Sequence, residues 1–283
     1  FIVSTGKLSK DGGALWAVTS EGAVYLFNRN LEDLKNFPVL TGEQPSAPPS
    51  AYEDYLVFPS KSGKLCFVYF DSSVKTVDIP DAKEVKAAPS IFENFCAVYV
   101  KGFEGAVYIF EDGVCKNEGM SISGIGFGSP AFLKDAGSLY MGFVTQAGNL
   151  YIWKDGALLD DFPKKLDGVF YSNLQAGKKY FFAVSADGEI FRIEPDGYCL
   201  TVKIPHITAK NGIVTVIPGG KDERIYVSSD GNVLYGFSSG LEMLPSFPLA
   251  GSGRPVFADV NADGKIDCIT LTIDNKLNAW NIE

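Results

Sequence analysis

Histidine is all but missing from this sequence: His206 is the single one in 283 residues. That excludes His-rich metal centres and leaves one candidate for any Ser/His/Asp arrangement, which no G-x-S-x-G elbow accompanies. Cysteine is sparse and unpaired. Cys66, Cys96, Cys115, Cys199 and Cys268 are odd in number, and none lies within three residues of another. Without a C-x-x-C, neither a zinc site nor a thioredoxin-type redox pair is signalled. Cys66, Cys96 and Cys268 fall in apolar runs and are expected to be buried free thiols. No apolar run approaches the ~18 residues of a membrane span, no N-x-S/T sequon occurs, and long helical patterns are absent. Positive charge is also in deficit: the net charge is −9 and the sequence pI about 4.8. Such a surface repels phosphate backbones and anionic lipid, so neither nucleic acid nor a membrane is an expected partner. Residue 1 is Phe rather than Met, which fits a mature or trimmed form with a signal peptide or lipid anchor upstream.

What is present is a repeat. The chain is 46% hydrophobic and 13% aromatic, ample for a large core. Short alternating runs rich in Val, Ile, Tyr and Phe fill it, as in "GALWAVTSEGAVYLF", "SLYMGFVTQAGNLYIW" and "KKYFFAVSADGEIFRI". Each reads as strand, tight turn, strand. The turn position recurs at Gly22, Gly63, Gly105, Gly148, Gly188, Gly231 and Asn275, spaced 40 to 44 residues apart. Two positions later stands an aliphatic residue: Val24, Leu65, Val107, Leu150, Ile190, Val233 or Leu277. One face of the same strand is therefore expected to be buried alike in every repeat. Pro49, Pro89, Pro130, Asn173, Ile213 and Pro255 mark the repeat starts. Asp112-Gly113, Asp155-Gly156, Asp196-Gly197 and Ser239-Gly240 suit a later hairpin turn. Beyond them come Phe37-Pro38, Ile79-Pro80, Phe162-Pro163, Ile204-Pro205 and Phe247-Pro248. Proline cannot donate to a ladder, so this last strand should be an edge.

Four short strands per repeat of about 42 residues predict an all-β fold: a seven-bladed β-propeller of four-stranded antiparallel blades, one domain over residues 1–283. A degenerate repeat would make the count six or eight. "KLNAWNIE" reads as a third strand with no fourth after it, and "FIVSTG" matches the fourth strand "FPVLTG" (Phe37 to Gly42). Residues 1–6 are therefore expected to complete the last blade and close the ring.

The stretch "GLEMLPSFPLAGSGRPVFADVNADGKIDCITLTIDNKLNAW" resembles the FG-GAP/VCBS type of propeller repeat of bacterial secreted proteins and integrin α-subunits. Phe247-Pro248, Pro255, Asp259 to Asp267 and Leu277 to Trp280 carry the likeness. "GNLYIWKDG" is similar to PQQ-like propellers, including the non-catalytic outer-membrane assembly type; the adjacent Cys-Cys pair of the quinoprotein dehydrogenases is missing. Within "DVNADGKID", Asp259, Asn261 and Asp263 place oxygens at alternate positions, Gly264 permits a sharp turn, the Lys265 carbonyl adds an oxygen, and Asp267 closes the loop. This donor set suits one structural Ca²⁺. An EF-hand would require Glu where Thr270 stands, and helices on either side. The competing reading is a solvated acidic turn. The equivalent turns "LKDAG", "PGGKDE" and "YED" lack the alternating carboxylates, so one site is expected.

His206 in "KIPHITAKNG" reads as a surface loop residue. "GIGFGSP" (Gly124 to Pro130) is not G-x-G-x-x-G opening a helix, and reads as a loop with Phe127 at its tip. Trp16, Trp153 and Trp280 sit in strands and read as blade packing. Phe127, Phe170, Tyr171, His206 and Arg254 are expected in connections between repeats, converging on one face as a partner surface. No catalytic residues are expected. The function expected is that of a non-catalytic, extracytoplasmic (secreted, periplasmic or surface-anchored) bacterial propeller that scaffolds a protein interaction. Two alternatives stand beside it: a carbohydrate-binding, lectin-like propeller, and a propeller hydrolase or lyase using carboxylates in its channel.

Overall fold

The computed structural model describes residues 2–6, 14–28, 30–52, 54–81, 85–101, 104–172, 174–205, 207–209, 213–218 and 223–282. Among them there is no helix, and the strands form seven antiparallel sheets in chain order. The chain divides into two compact units, Phe1–Pro130 and Ala131–Glu283.

The first unit holds three sheets. Sheet 1 is Ile2–Gly6, Ala14–Val18, Ala23–Phe27 and Val39–Leu40; sheet 2 is Ser50–Tyr52, Tyr55–Pro59, Lys64–Tyr69 and Val74–Asp78. Sheet 3 is Ser90–Phe92, Phe95–Val100 and Gly105–Glu111, whose outer side pairs with Val114–Cys115 and Met120–Ile122. The second unit holds four. Sheet 4 is Ala131–Asp135, Ser138–Val144 and Asn149–Lys154, flanked by Ala157–Leu158 and Lys164–Lys165. Sheet 5 is Gln175–Ala176, Phe181–Val184, Glu189–Ile193 and Cys199–Lys203; sheet 6 is Ile213–Pro218, Glu223–Ser228, Val233–Ser238 and Leu249–Ala250. Sheet 7 has three described strands, Ser252–Ala258, Asp267–Leu271 and Leu277–Asn281. Within each unit the first strands of successive sheets lie beside one another.

The cores lie between sheets. Strand side chains alternate in direction, so a middle strand feeds two layers. In sheet 2, Leu56, Phe58, Cys66 and Val68 pack on Trp16, Val24 and Leu26 of sheet 1. Val57, Leu65 and Phe67, one position out of phase, pack on Cys96, Val98, Tyr108 and Phe110 of sheet 3. Sheet 5 does the same, with Phe181 and Ala183 toward sheet 4 and Phe182 and Val184 toward sheet 6. This is why the second and third strands read as near-continuous apolar runs.

The turn joining those strands is built alike in five sheets. A Ser or Thr three residues before the turn position accepts, through its hydroxyl, the N–H of the residue after it. Thr19 bonds Ala23 (3.0 Å), Ser60 Lys64 (3.2 Å), Thr145 Asn149 (3.0 Å), Ser185 Glu189 (3.1 Å) and Thr272 Lys276 (3.3 Å). The turn position itself has positive φ at Gly22, Gly63, Gly148, Gly188 and Asn275. In sheet 6 this position is Asn232 (φ 57°), not the expected Gly231. The inward aliphatic is accordingly Leu234, 1% exposed, rather than Val233. Asn tolerates the left-handed region and Gly231 preceded it, so the sequence offered two adjacent candidates.

The outer strand comes in two forms. Phe-Pro precedes a two-residue strand in sheets 1, 4 and 6, with the peptide cis at Phe37-Pro38, Phe162-Pro163 and Phe247-Pro248. Ile-Pro follows a five-residue strand in sheets 2 and 5.

Two further expectations are corrected. Ile2–Gly6 does not complete the last sheet. It runs antiparallel to Ala14–Val18, with Ile2 opposite Val18 and Gly6 opposite Ala14, as the first strand of sheet 1. Seven residues separate the two strands, and closing so short a loop costs little entropy compared with a distant partner. The likeness of "FIVSTG" to "FPVLTG" lacked the proline. The other correction is Leu277. It is 73% exposed, because it faces away from the layer that Cys268 and Ile282 form with sheet 6.

Two outcomes are expected. At Gly148 (φ +86°) a Cβ would lie 2.4 Å from the Leu166 carbonyl oxygen, whereas at Gly137 (φ +87°) it would meet nothing within 4 Å. Gly137→Ala should therefore cost only the left-handed penalty, about 1–2 kcal/mol. Gly148→Ala should cost at least about 1 kcal/mol more, read as the difference in denaturant midpoints; equal midpoints would refute the collision. All five cysteines are free, with Cys66, Cys96 and Cys268 buried. Burial pushes the Cys66 and Cys268 thiols up to about 12 and raises Cys96 as well. These three should resist a thiol reagent at about pH 8 until the protein is unfolded, because the thiolate is the reactive form. The sign for stability follows: folded thiols stay protonated, so the fold weakens as pH rises past the ordinary thiol value of ~8.5.

Candidate functional site

An antiparallel four-stranded sheet has two ends. One carries the turn between its second and third strands and the connection to the next sheet. The other carries the first-to-second and third-to-fourth turns. The residues singled out from sequence divide between these ends.

The Asp259 loop is the first-to-second turn of sheet 7. Asp259 accepts from the backbone N–H of Asp263 (Oδ1, 3.2 Å) and of Gly264 (Oδ2, 2.9 Å). Asn261 Oδ1 accepts from the same Asp263 N–H (3.1 Å), so side-chain oxygens of Asp259 and Asn261 meet at one point. Asp263 Oδ1 accepts from Lys265 N–H (2.9 Å), and Gly264 takes φ +84°. Asp267 is buried under the loop, where Oδ2 accepts from Val260 N–H (3.2 Å). Among the described residues no three His, Cys, Asp or Glu side chains gather at metal-binding distance. The chemistry of the donors nevertheless fits a hard cation, for all are oxygens and most are exposed.

The five expected partner-surface residues stand in different local settings. Phe127, 47% exposed, lies in the connection from sheet 3 to sheet 4. That loop is pinned by Tyr99, whose hydroxyl donates to Gly124 O (3.3 Å) and accepts from Gly126 N (3.3 Å). Tyr171, 39% exposed, lies in the connection after sheet 4. Phe170 is corrected: at 1% exposure it belongs to the core between sheets 4 and 5, its ring 5.3 Å from Phe191. In that connection one aromatic turns inward and its neighbour outward, and their order was not visible from the sequence. Arg254 is exposed but stands on the first strand of sheet 7, not in a connection. His206 lies outside the described residues. Trp16 and Trp153 are buried, and Trp280 donates its indole N–H to Thr270 (2.9 Å), so these rings serve packing.

A cavity of about 440 Å³ lies between sheets 2 and 3, at the end opposite the Ser/Thr turns. Tyr52, Asp54, Tyr55, Phe67, Tyr69, Glu93, Asn94, Asp112 and Gly113 line it. Its aromatic wall is set by register. Tyr55 stands opposite both Tyr52 and Tyr69, and Phe67 is two residues from Tyr69, so all four share one face. Ring centroids lie 6.2 Å (Tyr52 to Tyr55), 5.9 Å (Tyr55 to Tyr69) and 6.0 Å (Tyr55 to Phe67) apart. The polar side comes from three turns, at Asp54, Glu93-Asn94 and Asp112-Gly113. Two of these are clasped to their own sheets: Asp54 O accepts Phe70 N–H (2.7 Å), and Asn94 O accepts Asp112 N–H (3.1 Å). Asp112 and Gly113 both have positive φ, the geometry expected of that Asp-Gly pair. Burial, and behind it the charges of Asp54, Asp112 and Asp71, raise the Tyr69 hydroxyl above its ordinary range. Burial raises Tyr55 likewise, so both phenols are neutral donors at physiological pH. The local signal is Tyr69: it stands opposite Tyr55, where sheet 4 sets Lys154 opposite Tyr140 and sheet 3 sets Glu111 opposite Phe95.

No family model matches the chain, and no curated protein matches its sequence. Solved structures do. BamB from Moraxella catarrhalis aligns with a TM-score of 0.65 and 13% identity over 100% of this chain and 83% of that one. BBS1N, solved in complex with ARL6DN, aligns at 0.69 and 12% identity over 100% and 91%. The computationally designed Ika8 protein aligns at 0.65 and 12% identity over 99% and 84%. These neighbours are β-propeller proteins, and at such identities the likeness is one of fold.

Proposed function

We propose that the chain is a single seven-bladed β-propeller that works as a non-catalytic, extracytoplasmic protein-interaction scaffold. The observation that carries this reading is the alignment of the whole chain with propellers, one of them, BBS1N, solved in complex with a protein, ARL6DN. The cysteines support it, since the three most buried thiols are held protonated and are poor nucleophiles. The resemblance to secreted FG-GAP/VCBS repeats and to PQQ-like propellers of the outer-membrane assembly type supports the location. A photo-reactive residue placed at Tyr171 or Phe127 should cross-link the native chain to one discrete protein in the envelope fraction. Hits on a glycan array without any cross-linked protein would overturn the reading in favour of a lectin.

The Asp259 loop belongs to this proposal as one structural Ca²⁺ site, with Asp259, Asn261, Asp263, the Lys265 carbonyl and Asp267 as donors. Calcium there would pin the first turn of sheet 7. At a Kd of roughly 10⁻⁴–10⁻³ M, usual for extracellular modules, millimolar calcium should stabilise the fold by about 1–2 kcal/mol. Melting scans with calcium and with chelator read this directly. Asp263→Ala should fold and lose the increment. If the wild-type transition does not move, or moves as much in the variant, the loop is a polar turn.

A further inference from the structure

We propose that the cavity between sheets 2 and 3 seats an arginine side chain presented by a partner protein. The inference rests on the interaction reading above and names the chemistry of one contact.

The lining has a consistent sign. Three carboxylates, Asp54, Glu93 and Asp112, and four aromatic rings face the space, and no lysine or arginine lines it. Aromatic faces carry negative potential and attract cations, most strongly where water is partly excluded. Carboxylates on separate turns add acceptors around the rim. The Lys75 ammonium donates to the Asp112 carbonyl (2.7 Å), and Lys75 does not line the cavity. An anion would meet three like charges here. A cation would meet aromatic rings and carboxylates.

Between the two protein cations, the walls favour arginine. Its guanidinium is planar, stacks on rings, is weakly hydrated and offers five donors, whereas the ammonium of lysine is compact and strongly hydrated. Arginine also pairs with carboxylates through two parallel bonds. The size agrees: about 440 Å³ is at the small end of the ~300–1,000 Å³ of ligand pockets, suited to one long side chain rather than a folded segment. A partner backbone is expected above the side chain because the carboxylates stand on exposed turn tips, where an approaching chain makes first contact. The site is at the end of sheets 2 and 3 opposite the connection that carries Phe127, so it is separate from that loop.

The test uses the full chain and two capped tripeptides, acetyl-Gly-Arg-Gly-amide and its citrulline counterpart, which keeps the shape and loses the charge. Tyrosine ring signals in NMR, or calorimetry, should show saturable arginine binding with Kd on the order of 10⁻³ M. The citrulline peptide should bind at least about tenfold more weakly. Asp54→Asn and Asp112→Asn together should weaken arginine binding several-fold while leaving the melting curve in place, since both carboxylates are exposed. Tyr69→Ala should weaken it further; if that variant fails to fold, the Asn pair decides. Equal binding of the two peptides, no binding, or unchanged binding in the Asn pair would each overturn the proposal. The two readings fail separately. A chain that cross-links a partner but does not tell arginine from citrulline loses only the arginine seat. A chain that binds arginine but cross-links no partner loses the scaffold reading, and with it the protein source of the side chain.

Discussion

Face-to-face apolar packing between consecutive sheets is the constraint from which the rest follows. No sheet here can bury itself. Each middle strand supplies alternate residues to two layers, so Leu56 and Phe58 serve one neighbour while Val57 serves the other. Three positional demands result. Middle strands must be apolar on both sides. The turn between them must be tight and of fixed length, because one extra residue would swap the two faces. Polar residues are left to the outer strands and the turns. The cavity sits where this rule is relaxed: at one end of sheet 2 the apolar layer ends in tyrosines, whose hydroxyls tolerate water as their rings tolerate the core, and sheet 3 faces them with polar turns.

That constraint also explains what could be read from the sequence. The repeat and the strand pairs were legible because the same local chemistry recurs along the chain, and the Asp112-Gly113 turn and the buried cysteines because each is fixed by its immediate neighbours in sequence. The Ser/Thr at Thr19, Ser60, Thr145, Ser185 and Thr272 is just as periodic, but a hydroxyl three residues before a turn is common in loops and marks the turn less sharply than the glycine or asparagine that follows. Where local chemistry was ambiguous, the reading slipped. Gly231 and Asn232 both accept positive φ. Phe170 and Tyr171 are both large aromatics, and only packing against Phe191 decides which is core. Ile2–Gly6 was assigned by likeness to a distant string, while the structure pairs it with its nearest neighbour in sequence.

The candidate site was less legible than the fold for a geometric reason. Its residues come from strands and turns of two sheets and span sequence positions from Tyr52 to Gly113. No spacing rule connects a tyrosine on one sheet with an aspartate on a hairpin of the next. The Asp259 loop is the opposite case. Its groups lie within nine consecutive residues, so the motif was visible at once, and the structure adds which oxygens already meet.

The two forms of outer strand bear on how this molecule avoids itself. Sheets 1, 4 and 6 end in two-residue strands, too short to template another chain. Sheets 2 and 5 expose five-residue edges, "VKTVD" and "CLTVK", long enough to recruit a stray strand. Each of these carries a lysine, Lys75 or Lys203, and each lysine is tethered, to the Asp112 carbonyl or to the Asp187 carboxylate. A strand docking there would have to displace the tether and desolvate the ammonium, the usual protection of an open edge. Among the described residues the outer strand of sheet 7, Leu277–Asn281, is a five-residue edge with no strand beyond it and with Leu277 exposed, so crowded storage or prolonged heating should find its weak point there before the two lysine-guarded rims.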